Sequence, residues 1–105
     1  MYTLCIRYTL DPNRIDGFRT YVENEVTVIG EVGGRNVAYY LPTDFAGPTN
    51  IGLGLIDIET MAEYERYRQA LAKHPVHLRN AAALAETGAV LSMERSFIRR
   101  HGSGA

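Results

Sequence analysis

YTLCIRYTLDPNRIDGFRTYVENEVTVIGEVGG, residues 2–34, decides the fold. Its first nine residues alternate. Tyr2, Leu4, Ile6, Tyr8 and Leu10 are large and apolar, while Thr3, Cys5, Arg7 and Thr9 are smaller or polar. A period of two is the mark of a strand with one covered face. At Asp11-Pro12 the period changes. Aspartate is a good helix N-cap and proline is tolerated in the first turn. Ile15, Phe18, Val22, Val26 and Ile29 then recur at steps of three and four, which places them on one face of a helix. Gly30, Gly33 and Gly34 can end it.

Working outward, Arg35 to Leu41 reads as a second strand and Asn50 to Ile58 as a third. Thr60-Met61-Ala62-Glu63 has the form of a capping box, so a helix begins there with Met61, Tyr64, Tyr67 or Arg68, and Leu71 as its buried stripe. His74-Pro75 interrupts that helix, because the residue before proline is pushed out of the helical region. A further helix follows from Pro75 to about Glu86 and closes at Thr87-Gly88. Val90 to Arg100 is the last strand. The order β-α-β-β-α-β, with the second helical stretch broken, predicts an α+β ferredoxin-like sandwich, a four-stranded antiparallel sheet with helices on one face. Residues 1–100 form the single domain and 101–105 a loose tail.

At 105 residues the chain holds one domain. A net charge of −1 and a pI near 6.3 argue against a nucleic-acid partner. No apolar run approaches a membrane span, and the start lacks the basic and apolar regions of a signal peptide. The single cysteine, Cys5, fits a reducing compartment, so the expected location is cytoplasmic. Cys5 itself reads as a small strand hydrophobe rather than a nucleophile.

The strands predict two unlike sheet faces. Leu4, Ile6, Tyr8, Leu10, Val37, Tyr39, Leu41, Ile51, Leu53, Leu55, Leu91, Met93 and Phe97 are bulky and belong under the helices, with Arg95 as the charged interruption. Cys5, Arg7, Ala38, Tyr40, Gly52, Gly54, Ile56 and Glu94 then share the other face. Two glycines in one strand mark close approach of another backbone or ligand. Gly52, Gly54 and Tyr40 are therefore expected at the contact with a second copy, a two-fold homodimer being the commonest closed oligomer.

YYLPTDFAGPTN at 39–50 links the second and third strands. Pro42, Gly47 and Pro48 explain a turn. They do not explain Phe45, which reads as an anchor. The loop is either a dimer clasp, the favoured reading, or the lid of a pocket. The candidate ligand-binding residues are Arg95, Tyr39, Asp44, Arg7 and Glu94. A buried arginine needs a partner or an anionic ligand, and tyrosines supply apolar walls with a polar tip. Arg7 and Glu94 fall on one face of neighbouring strands and equally suit an ion pair.

His74, His77 and His101 lack the organised spacing of a metal site. There is no G-x-S-x-G elbow, and GLG at 52–54 opens no helix and so is no dinucleotide fingerprint. No metal or cofactor is expected.

LPTDFAGPTN at 41–50, MERSFIRRH at 93–101 and the Tyr64-Glu65-Arg66-Tyr67-Arg68 helix with its Lys73-His74-Pro75 break resemble the NIPSNAP family over about residues 2 to 100. That resemblance implies a dimeric α+β barrel, two ferredoxin-like protomers packed sheet against sheet. The wider superfamily includes cofactor-free monooxygenases acting on aromatic polyketides, haem-degrading enzymes and small isomerases. In some of these a histidine on the second helical stretch holds haem, a position where this chain has His77. The NIPSNAP branch brings no agreed reaction. This chain departs from many relatives in having no tryptophan. The expected function is a homodimeric small-molecule-binding or interaction module. The alternative is a cofactor-free monooxygenase or isomerase acting on a small aromatic or carboxylate compound between helices and sheet.

Overall fold

A computed structural model of the chain describes residues 1–45 and 47–102; Ala46 of the loop and residues 103–105 of the expected tail lie outside the described residues. The elements run β1 (Tyr2–Leu10), α1 (Ile15–Glu31), β2 (Arg35–Tyr40), β3 (Ile51–Ile58), α2 (Met61–Lys73), α3 (Pro75–Thr87) and β4 (Val90–Ile98). The strands form one antiparallel sheet in the order β2-β3-β1-β4. This is the ferredoxin-like α+β fold that the change of period at Asp11 implies.

Local chemistry sets the boundaries. Asp11 does not cap α1. Its Oδ1 accepts a 2.9 Å hydrogen bond from the Asn13 amide, and its carbonyl accepts one from Arg14 N at 2.9 Å. The aspartate thus builds a turn of its own, a competition typical of short polar side chains, and α1 starts later, at Ile15. Thr60 Oγ1 does cap α2, accepting from Glu63 N at 3.1 Å. His74 adopts an extended ψ of 119° before Pro75, and its Nδ1 accepts from Val76 N at 3.2 Å. The proline break is therefore also the cap of α3. Gly88 ends α3 at φ 67°, the left-handed region that glycine enters without a Cβ penalty.

The core lies between the sheet and the helices. Leu4, Ile6, Tyr8 and Leu10 of β1 meet Phe18, Val22, Val28 and Ile29 of α1, all buried. β4 pairs Met93 with Tyr8, Arg95 with Ile6 and Phe97 with Leu4. Arg95 therefore stands on the helix side, as its place in the apolar set implied.

β3 is turned over relative to the expectation. Gly54 pairs with Ile6, Gly52 with Tyr8 and Ile56 with Leu4, so these face the helices. Ile51, Leu53 and Leu55 face the open side with Thr9, Arg7 and Cys5. The reason is steric. A Cβ on Gly52 would lie 3.0 Å from Phe18 Cε2, and one on Gly54 would lie 2.7 Å from Tyr39 Cε1. The two rings occupy the space that side chains on β3 would take. Gly52 and Gly54 are buried beneath them, on the helix side of the sheet and not on the open face where a second copy was expected to meet them. Tyr40 does point to the open face, opposite Leu53 and well exposed. Among the described residues, no helix is long and apolar enough to cross a membrane.

Candidate ligand pocket

A cavity of about 450 Å³ opens between the helix face of the sheet and all three helices. Its existence follows from α3. That helix reads PVHLRNAAALAET, buries only Asn80, and presents Ala81 and Ala85 to the cavity. Methyl groups do not reach the sheet, so the space stays open. Elsewhere the walls are large: Leu4, Ile6 and Tyr8 from β1, Tyr39 from β2, Tyr21 from α1 and Tyr67 from α2. A mostly apolar cavity of this size with a few convergent polar groups has the form of a small-molecule site.

The polar groups sort into an anionic wall and a cationic one. Glu25 is 1% exposed. Its Oε2 accepts from the Tyr21 hydroxyl at 3.0 Å and lies 2.6 Å from His77 Nδ1, and its Oε1 accepts from Asn80 Nδ2 at 3.2 Å. Asn80 Nδ2 also donates to the Tyr21 carbonyl at 2.9 Å, which locks the amide between α1 and α3. Three donors on one buried carboxylate meet the requirement that a buried charge be paired and hydrogen-bonded. Arg68 of α2 and Arg95 of β4 also border the cavity. Among the described residues, neither makes a hydrogen bond or ion pair with a protein group.

Burial pushes the phenols of Tyr8, Tyr21, Tyr39 and Tyr67 above their ordinary range. For Tyr8 the Tyr39 hydroxyl and then the Arg95 charge work against burial without cancelling it. For Tyr67 the neighbouring Glu25 carboxylate adds to burial, while Arg68 opposes it. All four are thus neutral phenols near neutral pH, with the Tyr21 proton engaged by Glu25.

Of the residues expected to bind a ligand, Arg95 and Tyr39 border this cavity, and Arg7, Glu94 and Asp44 do not. Arg7 and Glu94 stand on the opposite face of the sheet as a 3.9 Å ion pair, exposed at 49% and 77% of their side chains. Pairs that exposed contribute little. Phe45 is 89% exposed at its loop and, like Asp44, does not border the cavity.

The sequence alone does not mark Glu25, Arg68, Tyr8 or Tyr21 as ligand-binding residues, and His77 enters only as the position that holds haem in some members of the wider superfamily. For Glu25 a signal exists. Phe18, Val22, Glu25 and Ile29 follow one another at steps of four, three and four, so the carboxylate sits in the middle of the apolar stripe. A charge at a core position of an amphipathic helix needs an explanation.

A family model described as NIPSNAP matches residues 2–102 of the chain. Three solved structures are similar to it in fold. An uncharacterized NIPSNAP-like domain protein from Burkholderia xenovorans is 23% identical with a TM-score of 0.79, over 99% of this chain and 88% of that one. A dimeric protein of unknown function and ferredoxin-like fold from Bacteroides fragilis is 14% identical with a TM-score of 0.65, over 94% and 95%. A Nitrosomonas europaea protein, provisionally described as an antibiotic biosynthesis monooxygenase, is 7% identical with a TM-score of 0.72, over 95% and 98%. No curated protein matches.

Proposed function

From the premise that the chain belongs to the NIPSNAP family, we propose that it is a homodimeric protein that binds a small aromatic anion, a carboxylate or phenolate, in the cavity between helices and sheet. One observation carries the reading: Arg68 and Arg95 border an apolar, tyrosine-walled cavity, and among the described residues their side chains have no hydrogen-bond or ion-pair partner. A guanidinium beside apolar walls is best satisfied by an anionic ligand, which it can hold with two parallel hydrogen bonds. The tyrosine rings supply the surface against which an aromatic body packs.

Titration with phenylpyruvate or 4-hydroxybenzoate tests this. Arg95→Ala is expected to weaken binding about 10- to 100-fold, the ~1.5–3 kcal/mol of a charge-assisted hydrogen bond. Benzyl alcohol, which lacks the charge, should lose little. Equal affinity of wild type and variant for the anions removes Arg95 from the site.

The second copy belongs on the open face of the sheet. Ile51, Leu53 and Leu55 lie there, and Tyr40 and Ile98 are 57% and 45% exposed on the same side. An apolar sheet face left to solvent is an interaction surface. Phe45, exposed on the β2–β3 loop, is placed to clasp the copy. The fold likeness to the dimeric Bacteroides fragilis protein supports the same arrangement. Native mass spectrometry should give the mass of two chains, and Leu53→Glu should shift it to one. A wild-type monomer overturns the pairing. The oxygenase alternative rests on likeness of fold to the Nitrosomonas europaea protein, and fold alone does not carry a reaction.

A further inference from the structure

The geometry points to proton transfer in this pocket: His77, held by Glu25, acts as a general base that takes a proton from carbon beside the carbonyl of a bound aromatic keto acid. This rests on the proposed binding of an aromatic anion and adds a reaction to it.

The first observation is the cost of Glu25. A carboxylate at 1% exposure in the apolar stripe of α1 stabilises the fold less than a leucine of similar size would. It is kept with a full set of donors beside a cavity, where a buried charge network has a use.

The second observation fixes the tautomer. A carboxylate only accepts, so the nitrogen 2.6 Å from Glu25 Oε2 carries the proton, and that nitrogen is Nδ1 of His77. Nε2 then holds the free lone pair. Among the described residues Nε2 makes no hydrogen bond or ion pair, and His77 borders the cavity. A base with its lone pair free, and a carboxylate behind it to stabilise the imidazolium, is the arrangement that general-base catalysis requires. Glu25 acts through His77 and is a positioning residue.

The third observation concerns the product of the first step. Removing the proton leaves an enolate. The C–H pair becomes the C=C bond, the carbonyl π pair moves to oxygen, and the proton resides on Nε2. The neutral phenols of Tyr8 and Tyr67 are donors for that oxygen, and Arg68 and Arg95 supply positive charge on the same cavity. The imidazolium then returns its proton to the enolate oxygen, giving the enol. Protons and charge close, and neither oxidant nor reductant enters. The reaction class is keto–enol isomerisation of a carbon acid.

Phenylpyruvate is the probe. It offers a carboxylate to the arginines, a ring to the tyrosines and acidic benzylic protons to His77. Proton NMR in D2O follows exchange of those protons for deuterium, and line broadening of the ring signals in the same sample reports binding. Wild type should accelerate exchange over buffer, and His77→Gln should lower the enzymatic rate about 10²-fold or more, the usual range for a general base, with binding changed less than about threefold. Glu25→Gln is read beside it and covers a failure of His77→Gln to fold. Its amide can offer a donor to Nδ1 and so favours the wrong tautomer. Exchange should fall while binding persists, a split that a merely structural carboxylate does not produce. Binding by wild type without faster exchange overturns the proton-transfer proposal and leaves the binding reading standing. Faster exchange that survives both substitutions also overturns it. Absence of binding overturns both.

Discussion

Glu25→Ala should lower the unfolding free energy by about 3–5 kcal/mol, the cost of leaving several buried donors without their acceptor. The side chain is 1% exposed, and its loss leaves three groups without their acceptor: the Tyr21 hydroxyl, His77 Nδ1 and one Asn80 amide hydrogen. The cavity left by the truncation adds to the deficit. Urea unfolding of wild type and variant measures it. Removing both ends of the pair should behave differently. Glu25→Leu with His77→Leu replaces a hydrogen-bonded pair by apolar groups, an exchange that can be nearly neutral or stabilising. The double variant is therefore expected to recover part of what Glu25→Ala loses, the Tyr21 hydroxyl and one Asn80 amide hydrogen staying without their acceptor. If it is no more stable than Glu25→Ala, the carboxylate is holding the fold by something other than these bonds.

Gly54→Val should cost about 1–3 kcal/mol, the range for overfilling a packed core. Even the first added carbon would lie 2.7 Å from Tyr39 Cε1 and 3.0 Å from its Cζ. The ring must move, and it is a wall of the cavity. Thermal unfolding reads the stability loss at roughly 4–8 °C per kcal/mol for a domain near this size. Binding of phenylpyruvate by the same variant should fall as well, because Tyr39 can move only within a crowded set that includes Tyr8 at 6.3 Å and Phe18 at 6.4 Å between ring centroids. Gly30, whose added Cβ would meet nothing within 4 Å, is the control. Gly30→Ala should leave binding unchanged and cost no stability, since alanine is the better helix former, and an equal loss there would point to backbone effects instead of the ring.

Much of the fold was legible because period and punctuation agreed. The alternation of β1, the step pattern of α1, the Thr60 cap and the His74-Pro75 break each have one physical meaning, and the structure contains all of them. β3 was misread for a reason that matters. Bulk ordinarily marks the covered face, yet in IGLGLIDI the covered face is made of Gly52, Gly54, Ile56 and Ile58. The volume there is supplied by Phe18 from α1 and Tyr39 from β2, residues far away in the chain. No local pattern records such a loan of volume. The pocket was half legible. Arg95 stood out as a charge in an apolar alternation, and Tyr39 came with its strand. Glu25 carried the same kind of mark in a helix and passed unread, since Val26 also fits the apolar stripe of α1 and drew the eye one position along. His77 gave no local sign, because its role depends on α3 lying against α1.

The short side chains of α3 have one more consequence. Ala81 and Ala85 carry no chemistry, yet they set how much room the cavity has. The groups that would recognise charge sit on α2 and β4, and the carboxylate–histidine pair joins α1 to α3. Selectivity for the size of a guest is thus separated from the machinery that holds it. A lineage built on this scaffold can retune which molecules it admits by exchanging one methyl for a longer side chain on a single helix. The sheet, its register and the reactive groups need not change with it.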